Sequence, residues 1–247
     1  MDRHLANHST PDEGLRLSRV VAAQVPCSRR EAEQYIAEGW VRVDGHTAEL
    51  PQMRVTADQR VEVDPKARLQ AVVPATFLIH KPAGMATAAA ADLLGAAGHW
   101  RDDRSGIRPS KAHHGGLKAL LPLPAQASGL CVFSQDYRVQ RKLTEDAAFI
   151  EQELVADVQG TMTADGLARL GHGLIMDGRS LPPARVSWQS ETRLRFATKG
   201  IDPAWIEGMC AQVGLELCAL RRIRIGRVAM AGLPLQQWRY LPPGERF

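Results

Sequence analysis

Arg16–Gly45 reads "RLSRVVAAQVPCSRREAEQYIAEGWVRVDG", and its periodicity decides the first part of the fold. Leu17, Val20 and Val21 share one face of a helical wheel while Arg16 and Arg19 take another, the pattern of an amphipathic helix. Ser28 and Glu31 stand three apart at the head of a second helix, as in a capping box. There the hydroxyl and the carboxylate each satisfy a backbone N–H that the first turn leaves unpaired. Ala32, Tyr35 and Ile36 continue the buried stripe, and Gly39 ends the helix. "WVRVDG" predicts a short strand closing in an Asp44-Gly45 turn, and "RVEVD", Arg60 to Asp64, predicts a second strand. Two helices packed by their apolar stripes leave Arg16, Arg19, Arg29 and Arg30 exposed near one another. Planar guanidinium groups suit bidentate contact with phosphate, and Ser28 lies at a helix N-terminus, which favours anions.

Outward from this stretch the organisation is uneven. Residues 1–14 are polar and read as a disordered tail without the apolar centre of a secretory signal. Pro65 and Pro74 bracket a linker over residues 65–75. Beyond it, "ATFLIHKPAG", "SGLCVFS", "FIEQELVADVQG", "RLRFAT" and "LELCALRRIRIGRVAM" read as strands. "YRVQRKLTED" reads as a helix, and "ADGLARLGHG" as another capped by Thr163. "DPAWIEGMCAQVG" starts with Asp202 as cap and Pro203 at the first helical position, with Ile206, Met209, Cys210 and Val213 on one face. Residues 86–116 show little periodicity and read as a helix plus an irregular insertion. The expectation is an α+β fold: a small helix-rich module over 15–64, then a mixed or antiparallel sheet domain over 76–247.

Composition sets bounds. The chain has 247 residues, 45% hydrophobic and 23% charged, ordinary values for a folded protein. A pI near 9.0 and a net charge of +4 point towards a polyanionic partner, while 5% aromatic content keeps any base-stacking surface sparse. Cys27, Cys131, Cys210 and Cys218 form no CxxC pair and read as free thiols in a reducing cytoplasm. No apolar run approaches the roughly 18 residues of a membrane helix. His113 and His114, with Lys111 nearby, lack the further ligands of a metal site and read as a polar loop. No phosphate loop, nucleophile elbow or dinucleotide fingerprint appears, so neither cofactor nor metal is expected.

The stretch from Leu15 to Asp64, with "CSRREA" followed by "G-x-V-x-V-D-G", resembles the RNA-binding module named after the fourth protein of the small ribosomal subunit. That module followed by "FLIHKPAG" resembles the bacterial RsuA-type pseudouridine synthases, whose pattern is "L-L-x-N-K-P-x-G". Here His80 replaces the usual Asn. "SGLCVFSQD" and "GMCAQVGLELCALRRIRIGRVAMAGLPLQQWRYL" extend the likeness to about residue 242. The resemblance implies structured RNA, ribosomal or transfer, as partner, gripped through its backbone. It also suggests that Lys81 lies on the cleft side of its turn, where it meets a phosphate. Arg222 and Arg224 alternate on one face of "LRRIRIGR", with Arg221 and Arg227 nearby, which suits contact with an RNA backbone.

At Leu121–Leu130, "LPLPAQASGL", the family carries "G-R-L-D-x-x-T-x-G-L", and its Asp is the catalytic residue. Register against "SGL" puts Pro124 at that Asp. Pseudouridine formation breaks a glycosidic bond and rejoins the base through carbon, chemistry that a carboxylate serves as nucleophile or base. Proline carries no side-chain heteroatom. Likewise the family's "E-K-x-Y" tyrosine falls on Leu154. The arginine of "N-R-Q-I-R-R-M-C" that pairs with the Asp falls on Glu207, with Gly208 at the second arginine. The expectation is therefore a cytoplasmic, monomeric RNA-binding protein with a disabled pocket. Two other readings stay open: an active synthase with a relocated carboxylate, for which Asp102 and Asp103 are candidates, and a protein-interaction scaffold. Asp136, Glu151 and Glu153 read as structural, and Trp238 as core.

Overall fold

The computed structural model describes residues 14–67 and 73–247. Residues 1–13 of the expected tail and 68–72 of the expected linker lie outside the described residues. The chain divides into two compact units, one of residues up to Val73 with Pro109–Gly115, the other of Pro74–Arg108 with Gly116–Phe247. The crossing at 109–115 has no counterpart in the single boundary read from the prolines.

In the first unit, strand β1 (Leu15–Arg16) leads into α1 (Leu17–Gln24) and α2 (Arg29–Ala37). Leu17, Val21, Ala32 and Ile36 are fully buried between the helices and a small sheet, as the stripe requires. The capping box is complete: Glu31 N–H donates to Ser28 Oγ at 3.2 Å and Ser28 N–H to the Glu31 carboxylate at 2.7 Å. Gly39, at φ +78°, lets the chain leave α2 with its own N–H donated to the Ile36 carbonyl. β2 (Val41–Val43) turns through Asp44-Gly45 into β3 (His46–Ala48), which the sequence reading did not assign. β4 (Arg54–Val55) pairs with β1, and β5 (Val61–Val63) with β2. Ser110 caps the 3-10 turn Lys111–His114, whose Lys111 meets Glu49 at 2.6 Å.

The second unit contains β6 (Thr76–Lys81), β7 (Lys118–Leu120), β8 (Ser128–Ser134), α3 (Tyr137–Glu145), β9 (Gln152–Gly160) and α4 (Gly166–Gly171). The hairpin β10 (Ile175–Met176) and β11 (Arg179–Ser180) follows, then β12 (Arg185–Ser190), β13 (Arg193–Thr198) and α5 (Ile206–Ala211). β14 (Leu215–Ile225), β15 (Val228–Ala229) and β16 (Trp238–Tyr240) complete it. Among the described residues a nine-stranded sheet runs β12-β13-β9-β14-β8-β6-β16, with β15 on β14 and β7 on β8. This is the expected α+β class. Leu154, Ala156, Leu194 and Phe196 bury one face of the sheet with Leu170 of α4 and Ile206, Met209 and Cys210 of α5. Burial in that apolar layer pushes the Cys210 thiol up to about 12. Leu78, Leu130 and Val132 point the other way, against Leu143 of α3 and Ile225.

Two local expectations are corrected. Residues 86–116 hold no α-helix, only 3-10 turns at Ala88–Leu93, Ala96–Gly98 and Lys111–His114. α4 is capped in position by Asp165 rather than Thr163, and Thr163 contributes its carbonyl, not its hydroxyl, to Gly166 N–H. β14 meets β8 in parallel at only two positions, Arg221↔Ser128 and Arg222↔Gly129. Gly129 has φ +113°, and a Cβ there would sit 2.2 Å from the Arg222 carbonyl oxygen, so only glycine allows the two backbones to meet.

Candidate functional site

The loop from Leu121 to Ala127, between β7 and β8, carries Pro124. Three buried side chains fix its backbone. Thr87 Oγ1 donates to the Leu123 carbonyl at 3.0 Å and accepts from Leu123 N–H at 2.9 Å. Lys81 is fully buried. Its Nζ donates to the carbonyls of Pro82 at 2.9 Å, Met85 at 2.7 Å, Ala125 at 3.2 Å and, closest, Ala127. Arg222, also fully buried, donates from Nε to the Leu130 carbonyl at 2.8 Å, from Nη1 to Gln152 Oε1 at 2.8 Å and from Nη2 to the Leu121 carbonyl at 2.7 Å. The loop adds its own turn, Ala127 N–H to the Pro124 carbonyl at 3.1 Å. Leu121 holds φ +47°, a left-handed conformation that the Arg222 bond to its carbonyl helps to keep.

Lys81 and Arg222 were expected to face RNA, and the structure corrects both. Strand pairing of β6 with β8 and of β14 with β8 and β9 carries their stems into the interior, where carbonyls take their protons. Burial lowers the proton affinity of each. Neither donates to a carboxylate among the described residues. Arg224 is also more engaged than expected: it bonds Glu151, Glu153 and the Gly226 carbonyl. It lies on the opposite face of β14 from Arg222 because a bulge between positions 222 and 224 breaks the alternation. His80, at the family's Asn, joins its Nδ1 to the Leu233 carbonyl at 2.8 Å and so ties β6 to the loop before β16.

Of the acids in question, Asp103, Asp136, Glu151 and Glu153 are occupied by partners of their own. Asp103 bonds His99 at 2.8 Å, Tyr240 N–H at 3.0 Å and Ser105 N–H at 2.8 Å. Burial alone would raise its pKa, but these donors hold it below the usual range. His99 in turn stacks on Trp238, which is core. Asp136 caps α3 through Arg138 N–H at 2.8 Å. Glu151 and Glu153 are held below their usual range, first by hydrogen bonds from Arg224. Asp102 is exposed, as is Glu207 on α5, while Leu154 is fully buried in β9. A side chain at Gly208 would strike Met176 Cε at 2.5 Å, so this position accepts no arginine without rearrangement.

In the first unit the structure brings Arg16, Arg19 and Arg29 around one concavity of about 570 Å³, with Arg54 as a fourth. Pairing of Arg16 with Arg54 across β1 and β4 places Arg54 there, and its guanidinium donates to the Gly14 carbonyl at 3.0 Å. No sequence signal links residues this far apart in the chain. Arg30 is exposed but does not line the concavity, and Ser28 Oγ is engaged as the α2 cap. Among the described residues no group of three or more His, Cys, Asp or Glu is placed to hold a metal, and no helix is long and apolar enough to cross a membrane.

Residues 15–61 match the S4 domain family. The chain is 27% identical over 240 residues to ribosomal large subunit pseudouridine synthase B of Bacillus subtilis, covering 93% of each. It is 24% identical to the dual-specificity RNA pseudouridine synthase RluF of Shigella flexneri, covering 95% of this chain and 78% of that protein. Among solved structures, a crystal structure of a pseudouridylate synthase superposes with a TM-score of 0.58 at 16% identity over 92% of this chain and 96% of that one, a likeness of fold. The chain thus carries an S4 domain, leads from it into a domain with the fold of a pseudouridylate synthase, and is similar along most of its length to RNA pseudouridine synthases.

Proposed function

We propose that this chain binds structured RNA, ribosomal or transfer, as a cytoplasmic monomer, and does not isomerise uridine. One observation carries the reading. Leu121–Ala127 keeps a backbone fixed by Lys81, Thr87 and Arg222, yet the position of the reactive carboxylate is a proline. Loss of an essential nucleophile costs on the order of a million-fold in rate. A merely shifted acid would need a cation beside it, and Glu207 and Gly208 provide none. RNA binding rests on the Arg16, Arg19, Arg29 and Arg54 concavity, where guanidinium groups converge on a space suited to backbone phosphate.

The test is to incubate the full chain with ribosomal and transfer RNA transcribed in vitro, hence free of pseudouridine, and to map modification. The expected result is binding without new pseudouridine. Turnover that depends on this protein would overturn the inactive reading, and absence of binding would overturn the RNA reading.

A further inference from the structure

The half-sheet β12-β13-β9-β14 buries one face under α4 and α5 and leaves a charged face on the other side. Register assigns that face directly. Arg185 sits across Ala197 from Glu153, which pairs with Arg224. One step along, Ser187 pairs with Arg195, Arg195 with Val155, and Val155 with Arg221. A further step brings Arg193 opposite Asp157. Five arginines therefore share the face with four carboxylates, those of Glu151, Glu153, Asp157 and Glu216, the last across from Gln159 and accepting from its amide at 2.7 Å.

The carboxylates are each already claimed. Glu151 meets Arg185 at 2.6 Å and also Arg224, Glu153 meets Arg195 at 2.6 Å and also Arg224, and Asp157 meets Arg193 at 2.6 Å. Arg221 is exposed and pairs with no carboxylate among the described residues. Glu151 and Glu153 are each shared between two arginines, so they fix Arg185, Arg195 and Arg224 without neutralising all three, and Arg221 adds a further positive charge. Arg185 keeps 79% of its side chain exposed, so N–H edges remain for another acceptor. Adjacent strands lie about 4.8 Å apart and same-face residues about 6.8 Å apart along a strand. The result is a flat lattice of forked donors with surplus positive charge, which suits phosphodiester oxygens better than a point-like anion.

We propose that this open face is a second RNA-backbone contact, separate from the concavity of the first unit. It rests on the RNA-binding reading of the chain. Backbone contact there needs no chemistry in the pocket, so it is compatible with Pro124.

The test uses the full chain and large-subunit ribosomal RNA transcribed in vitro, with binding measured across a salt series. Arg193→Gln with Arg221→Gln should weaken binding about tenfold, the scale of lost charge-assisted hydrogen bonds. It should also lower the log–log salt slope by roughly one to two. Asp157→Asn moves the opposite way, since it removes a negative charge and releases Arg193; binding should tighten and the slope steepen. Misfolding cannot produce that gain. If both variants bind as the wild type does while Arg19→Ala with Arg29→Ala binds more weakly, the sheet-face inference fails and the RNA reading stands. If the wild-type chain binds no RNA, both fail.

Discussion

Replacing Lys81 by methionine keeps the length of the buried stem and removes the ammonium. The carbonyls of Pro82, Met85, Ala125 and Ala127 then lose a common donor inside a fully buried site. Ala125 retains Gly84 N–H at 2.8 Å, which leaves three carbonyls that lose a bond without compensation. Each buried acceptor left without a partner costs about 1–3 kcal/mol, for a gross loss of roughly 3–9 kcal/mol. Against this, methionine avoids the several kcal/mol needed to bury an ammonium. The net expectation is a destabilisation of about 3 kcal/mol, large beside a typical total of roughly 5–15 kcal/mol but small enough to leave a folded chain. Urea unfolding monitored by tryptophan fluorescence reads it as a lower midpoint at unchanged slope. Thr87→Val, which breaks the reciprocal bonds to Leu123, should act in the same direction by about 1–3 kcal/mol. A Lys81→Met chain within about 0.5 kcal/mol of wild type, the range of an unremarkable surface change, would refute the claim that the ammonium holds the loop.

Three other outcomes are expected. Pro124→Asp alone should give no pseudouridine in the mapping assay, because Leu154 and Glu207 supply neither ring nor cation; detectable turnover would show that the pocket retains more than its side chains suggest. Gly129→Ala should destabilise by at least about 3 kcal/mol, since a left-handed position meets a backbone oxygen 2.2 Å from the new Cβ, and an unchanged melting temperature would contradict that close approach. Acid stability should follow Glu151 and Glu153, whose folded-state pKa values are depressed by Arg224 and their other arginines. That stabilisation is present above the unfolded value near about 4.3 and is lost as pH falls through the folded values, so a melting curve series from pH 6 to 3 should be flatter for Glu153→Gln than for wild type.

Some of this was legible in the sequence because it is local. The capping box needs only Ser28 and Glu31, three residues apart, and both of its hydrogen bonds form. The stripes Leu17–Val21 and Ala32–Ile36 depend on helical period alone, and so does the buried face of α5. The α+β class followed from the alternation in "SGLCVFS" and "RLRFAT". That position 124 is a proline, where the resemblance places an acid once "SGL" sets the register, was likewise legible.

Side-chain direction was not legible wherever a long polar residue sat in a strand. Lys81 and Arg222 look like surface cations in sequence, but carbonyls from 40 to 100 residues away offer them acceptors in the interior. Arg54 joined Arg16 only through a two-residue strand pair, and a bulge in β14 put Arg222 and Arg224 on opposite faces. Periodicity reports which residues can share a face when the period holds. It does not report where a bulge interrupts it, or which distant backbone group will satisfy a buried donor. By itself the sequence determined α1 and α2 with the Ser28 cap, the class of fold and the absence of a carboxylate at position 124. Only the tertiary structure decided which cations point at solvent and which hold the loop, because burying a charge becomes tolerable only once the chain has brought enough carbonyl oxygens to it.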